Sequence, residues 1–336
     1  MWALDNRTAY AADRNWTRDK RGVHHWLVAV KATFDVALDG RLKLADEQSP
    51  PLLEPEYRGE AGSSSLRLDS DLLAVKPGTD VIVDARAHAP GGRPVPTVPV
   101  TLRVGSIQKT LLVHGTRAYY RGLMGITTCS PRPFTTAPIR YECAFGGTDT
   151  SHPDPRKHRI DARNPVGKGF AVDADRLVNQ LAHAVEYPRG NPAKTGPAGF
   201  GPIARSWSPR LELAGTHDSR WAATKKPLLP DDHDERFAMC SPVDQRPAKP
   251  LRGGERVELV NMTPRGVLRF DLPKIYLTFT TRFGSRREEH RATLTTVAVL
   301  AEEMRLAVTW QSTLKVPARD AEYLDRTAIG EKPYLA

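Results

Sequence analysis

Along HHWLVAVKATFDVAL, residues 24–38, Trp26, Val28, Val30, Ala32 and Phe34 fall on one side and Leu27, Ala29, Lys31, Thr33 and Asp35 on the other. A period of two with β-branched and aromatic enrichment predicts a strand. Asp39-Gly40 and RLKLA follow, which predicts a hairpin through a tight turn. PVTLRVGSIQKTLLVHG, residues 99–115, predicts a second hairpin bent at Gly105-Ser106. KPGTD is a turn, and VIVDARAHA after it alternates again; APIRYECAF alternates through Ile139, Tyr141, Cys143 and Phe145 before Gly146-Gly147. RVELVNMT, GVLRFDLP, IYLTFTTRFG, ATLTTVAVLA and MRLAVTWQS are each of strand length and bounded by Gly, Pro, Asn or charge.

Helical patterns are few. Leu177, Leu181 and Val185 recur every fourth residue behind Asp173 and Asp175, which predicts a helix over 173–185; ARDAEYLDRT predicts a short one near the C-terminus. Between them, roughly residues 148–250 are proline-rich with little strand pattern, yet hold Phe200, Trp207, Trp221 and Phe237. Disordered segments are poor in such residues, so this stretch reads as an ordered, irregular layer on the sheets. The expected fold is mainly β, with antiparallel sheets in a sandwich-like arrangement. It divides into an N-terminal β region (1–147), an irregular insertion (148–254) and C-terminal strands (255–336) that complete or extend the sheets, with two separate β domains as the second reading.

Composition supports a packed core: of 336 residues 40% are hydrophobic, and 28 prolines and 25 glycines punctuate the whole chain. Forty-nine basic against 39 acidic residues leave a formal charge of +10, which favours acidic partners. The charges are interleaved, and the dense runs at 14–21, 156–163 and 282–291 read as solvated surface. Cys129, Cys143 and Cys240 are odd in number and form no C-x-x-C, so neither a disulfide framework nor a structural zinc site is indicated. Free thiols suit a reducing cytoplasm. No secretory leader opens the chain, and no run approaches the roughly 18 apolar residues of a membrane span. The expectation is a cytoplasmic protein with no membrane partner.

Candidate chemistry is sparse. His217-Asp218 are sequence neighbours whose side chains diverge, and no G-x-S-x-G elbow supplies a nucleophile, so the pair reads as bonding turn backbone. His24 and His25 take opposite faces of a strand. Asp231-Asp232-His233-Asp234-Glu235 lacks calcium-loop spacing and reads as an acidic turn. GEAGSSSLR is no phosphate loop, and GKGF at 167–170 reads as a turn. Aromatic and basic residues alternate over 276–287 as on an oligonucleotide-binding face, a pattern shared with any strand that has one buried side. No catalytic residue, metal site or cofactor is assigned, and no nucleic acid is expected as partner.

RSWSPRLELAGTHDSRW, residues 205–221, is the densest aromatic and basic stretch. Its tryptophans read first as packing anchors, with Pro209, Gly215 and Asp218 setting turns. Arg and Trp are also enriched at interface hot spots, which makes Arg205, Trp207, Arg210, Arg220 and Trp221 the partner-binding candidates.

Taken in order, VAVKATFDVALDGRLKLADEQSP, KPGTDVIVDARAHAPGG, GTRAYYRG, PIRYECAFGGTD, NPVGKGF, PAGFGPIARSWSPRLELAGTHDSRW, KPLLPDDHDERF and LRGGERVELVNMTPRG resemble a bacterial domain-of-unknown-function family. The resemblance runs from about Asn6 to about Gln311. That family is encoded beside type VI secretion genes, near spike-tip PAAR proteins and their toxins. The resemblance implies a cytoplasmic adaptor or chaperone, not an enzyme, that keeps a PAAR-tip toxin soluble and loads it onto the secretion spike. GTRAYY, AGTHD and CSP depart from the family's usual residues at aromatic or turn positions. The rival readings are a carbohydrate- or nucleic-acid-binding β module, or a hydrolase using His217, Asp218 and the 231–235 cluster.

Overall fold

The structure, a computed structural model, describes residues 1–332; the last four positions of the predicted C-terminal region, 333–336, lie outside the described residues. His24–Val36 is the longest strand, and Arg305–Val316 pairs with it antiparallel, Val316 opposite His24 and Arg305 opposite Asp35. Ala11–Arg18 flanks this pair on one side, and Ala292–Leu300 then Asp80–Asp84 on the other, the last running parallel to its neighbour. Leu42–Leu44 folds back on Phe34–Val36 as the predicted hairpin. This central sheet is buried on both faces. Trp26, Val28, Val30, Ala32, Phe34 and Val36 line one, and Leu27, Ala29, Lys31 and Thr33 the other.

Two further sheets cover the first face. The terminal sheet is ordered Ala3–Asn6, Leu324–Lys332, Tyr276–Phe283, Arg286–His290. It packs Phe279, Phe283, Leu324 and Ile329 onto Trp26, Val28, Val30 and Val316. The middle sheet is ordered Val185–Glu186, Ile107–His114, Thr97–Val104, Arg256–Val260, Val267–Asp271. Its Val98, Val100, Leu111, Val257 and Leu259 share a core with Ala32, Phe34, Val83, Leu306 and Val308. Each such side chain contributes roughly 1.5–3 kcal/mol when fully buried, so these two interfaces carry most of the fold. The fold is mainly β, built of antiparallel sheets in layers. Strands from the first and last thirds of the chain alternate within them, as where Val104 pairs with both Ile107 and Val257.

The second face is covered by loops from residues 48–76, whose Gln48 and Asp71 bond Thr33 and Lys31, and by the segment around Cys240, which packs with Ile82, Ala298 and Ala307. Further polar anchors fasten loops around the middle sheet. Lys109, buried in its strand, donates to Gly199 O (2.7 Å), Asp244 Oδ1 (2.9 Å) and Gln245 Oε1 (2.7 Å). Three ammonium protons thus meet three acceptors, although burial, partly offset by Asp244, pushes the amine down to about 8. Glu186 accepts from His114 (2.7 Å), His183 (2.8 Å) and Arg117 (2.9 Å). Burial opposes its charge, but these donors hold the carboxyl well below its usual range.

Three predicted elements take other forms. Residues 173–185 form a 3-10 turn at Ala174–Leu177, capped by Asp173, and no longer helix; Val185 instead joins the middle sheet opposite Val113. APIRYECAF yields a short strand, Thr136–Pro138, and a 3-10 turn, Tyr141–Cys143. The Tyr141 ring stands edge-on to Trp207 at 5.6 Å and its hydroxyl donates to Gly201 O, which turns the chain away from extended pairing. ARDAEYLDRT likewise forms a 3-10 segment, Ala318–Tyr323, before the last strand.

Candidate functional site

The stretch singled out by sequence, 205–221, is mostly load for the loop layer. Trp207 is buried against Tyr141. Arg210, 1% exposed, donates to Phe237 O and Ile203 O at 2.8 Å each and sits 2.6 Å from Asp69. Arg205, half-buried, lies 3.9 Å from the same carboxylate and stacks over the Phe237 ring with Arg210. Arg220 is exposed on the short helix Ser219–Thr224, and Trp221 beside it is half-buried, its Nε1 donating to Leu228 O at 2.9 Å. Of the five candidates, Arg220 is exposed, Trp221 and Arg205 are partly exposed, and Trp207 and Arg210 reach almost no solvent.

The polar clusters tie corners. His217 bonds Gly215 O at 3.1 Å and packs on Trp221, while Asp218 caps the helix through Trp221 N. Asp232 accepts from Thr216 N and Oγ, Asp234 from Arg236 N, and Asp231 pairs with Lys225. These carboxylates therefore point at separate partners and do not converge with His217 on one centre. Among the described residues no group of three or more His, Cys, Asp or Glu side chains is placed to hold a metal ion.

Sequence reasoning missed a charge cluster between the central sheet and its loop cover. Lys31 meets Asp71 at 3.1 Å, Lys76 meets Asp80 at 2.8 Å, and Arg210 meets Asp69, all six at least 94% buried. Asp80 also accepts from Cys240 N, Ser241 N and Ser241 Oγ. Burial opposes its charge, but Lys76 and these donors outweigh that and hold it well below the usual carboxylate range. Burial and the neighbouring Asp80 charge push the Cys240 thiol up, and its side chain is fully buried. The cavity at this cluster is about 10 Å³, room for roughly one water. Three cations face three carboxylates in a closed space, an arrangement that fixes loops and admits no substrate.

An open site lies elsewhere. A cleft of about 1400 Å³ is walled by Tyr276–Thr280 and Arg287–His290 of the terminal sheet and by 249–252, the segment leading into the middle sheet. Its floor comes from Leu294 and Trp310 of the central sheet with Leu251, Ile275 and Phe279, all buried. Lys249, Arg252, Arg287, Arg291 and Lys332 are exposed around it, against one carboxylate, Glu289, which pairs with Arg287 at 2.7 Å.

His290 anchors the wall. Trp26 Nε1 donates to Thr327 Oγ (2.8 Å), Thr327 lies 2.7 Å from Thr281 Oγ, and Thr281 Oγ lies 2.8 Å from His290 Nε2. On the other side His290 Nδ1 is 2.6 Å from Ser312 Oγ, whose proton goes to Arg291 O. With that proton committed, Nδ1 must donate to Ser312 and Nε2 must accept from Thr281, a fixed neutral tautomer. Burial lowers this imidazole to about 4, consistent with a chain of bonds that has no place for a second ring proton. The aromatic and basic alternation over 276–287 marked part of one wall, but the sequence did not reveal the cleft, whose parts come from different sheets and the segment at 249–252.

Fold and cleft together define a layered β scaffold with a broad, positively rimmed recess. A profile of the bacterial family DUF2169, described as an uncharacterized protein conserved in bacteria, matches residues 21–311, and the chain belongs to that family. Comparison with curated proteins and with solved structures found no match. Among the described residues no helix is long and apolar enough to cross a membrane.

Proposed function

We propose that this protein is a cytoplasmic type VI secretion adaptor, a chaperone that binds a PAAR-tip toxin, keeps it soluble and helps load it onto the secretion spike. The supporting observation is the cleft: a recess of about 1400 Å³ between β-sheets, with apolar surface at Pro250, Leu277 and Ala292 and an exposed cationic rim. Small-molecule pockets run to roughly 1,000 Å³, so the recess is sized for a segment of polypeptide. Arg220 and Trp221 supply a second contact on the loop layer, since both reach the surface. The action is stoichiometric: apolar surface of the toxin is covered here and released at the spike. Co-expression with a PAAR-tip toxin tests the reading. A rise in soluble toxin and a co-purifying complex are expected; toxin equally soluble alone, with no complex, overturns it.

A further inference from the structure

We infer that the cleft takes an extended segment of the partner in which acidic and apolar side chains alternate. The inference rests on the adaptor reading for the partner's identity, and on the cleft itself for the segment's chemistry. An extended chain sends successive side chains to opposite sides. Here one side is apolar: exposed Pro250 and half-buried Leu277 and Ala292 line the cleft above the buried Leu294 and Trp310, a surface that apolar groups match. The other side is cationic. Among the described residues Lys249, Arg252, Arg291 and Lys332 form no ion pair, whereas Arg86, Arg256 and Arg286 each pair with a carboxylate. Exposed cations without counter-charges beside an apolar floor complement carboxylates flanking apolar side chains. The terminal-sheet wall is extended backbone: among the described residues Arg286–His290 pairs with Tyr276–Phe283 only from Phe279 onward. A segment lying beside Leu277 and Thr278 would continue the line of that strand.

The probe is a fluorescein-labelled decapeptide of alternating glutamate and valine, measured by anisotropy against its lysine–valine counterpart and a single-stranded oligothymidylate. The intact protein is expected to bind the acidic peptide, more weakly as salt rises, and the basic peptide not at all. Arg252→Glu with Arg291→Glu, both exposed and outside the cores, is expected to weaken binding by at least about tenfold with an unchanged circular dichroism spectrum. A photo-crosslinker at exposed Thr293 is expected to capture the peptide. Unchanged affinity in the double variant, equal binding of the basic peptide, or binding of oligothymidylate alone overturns the inference. If the wild type and the double variant retain a PAAR-tip toxin equally and neither binds the acidic peptide, the cleft assignment fails and the adaptor reading stands. If the wild type binds the peptide but retains no such toxin, the adaptor reading fails and the chemistry of the cleft stands.

Discussion

Arg210 and Asp69 face each other at 2.6 Å, each side chain 1% exposed, and their alignment is that of an ion pair rather than a well-formed hydrogen bond. The remaining guanidinium donors reach the carbonyls of Phe237 and Ile203, so one side chain fastens three separate loop segments. Breaking a buried pair leaves a charge without a partner, which typically costs about 3–5 kcal/mol, whereas replacing both partners with apolar residues is often nearly neutral.

Arg210→Met is therefore expected to lower unfolding stability by about 3–5 kcal/mol, and Arg210→Met with Asp69→Leu to regain most of that. Urea denaturation of the wild type, both single variants and the double variant supplies the cycle. Simple additivity of the single losses would contradict the pairing.

His290 sets an acid limit. Its folded value, lowered to about 4, lies below the ordinary 6.5, so between those values the unfolded chain binds the extra proton. Stability from this residue is full above pH 6.5, falls as pH drops toward 4, and amounts to at most about 3 kcal/mol. His290→Gln, which does not titrate, is expected to flatten the pH dependence of the denaturation midpoint between pH 7 and 4.5. An unaltered slope would contradict it.

Gly146 closes the approach of two blocks quoted from the sequence, AFGGTD and NPVGKGF. Its φ is +143°, and a Cβ there would stand 2.7 Å from the Asn164 Cβ. Asn164 Nδ2 meanwhile donates to Tyr141 O and Phe145 O, so it has no room to retreat. Gly146→Ala is expected to cost about 2 kcal/mol or more, read as a lower urea midpoint with unchanged slope.

Arg220→Glu separates stability from recognition. The side chain is exposed on its helix, so folding is expected to change by no more than about 0.5 kcal/mol. Capture of a PAAR-tip toxin is expected to weaken by about tenfold, roughly 1.4 kcal/mol. Equal capture would remove the helix from the contact surface.

The strands were legible where local pattern and tertiary demand agree. His24–Val36 alternates because the sheets above bury one face in full, and the Asp39-Gly40 turn returns the chain onto Phe34–Val36. The same strand hid its most informative residue: Lys31 looks like a solvent-facing charge until Asp71, forty positions later, folds over it. The fourfold spacing of Leu177, Leu181 and Val185 misled because Val185 pairs with Val113 and ends any helix before it forms. In 205–221 the tryptophan–arginine chemistry was visible, but which side chains turn inward depends on Asp69 and Tyr141, far off in sequence. The cleft was invisible for a related reason: it is a gap between sheets, and its floor, Leu294 and Trp310, reads as ordinary strand core.

Hydrogen–deuterium exchange on this protein with and without a purified PAAR-tip toxin tests the central claim most directly. Amides of residues 276–280 and 291–294, which wall and floor the cleft, are expected to slow in the complex. Exchange unchanged there at saturating toxin would contradict it.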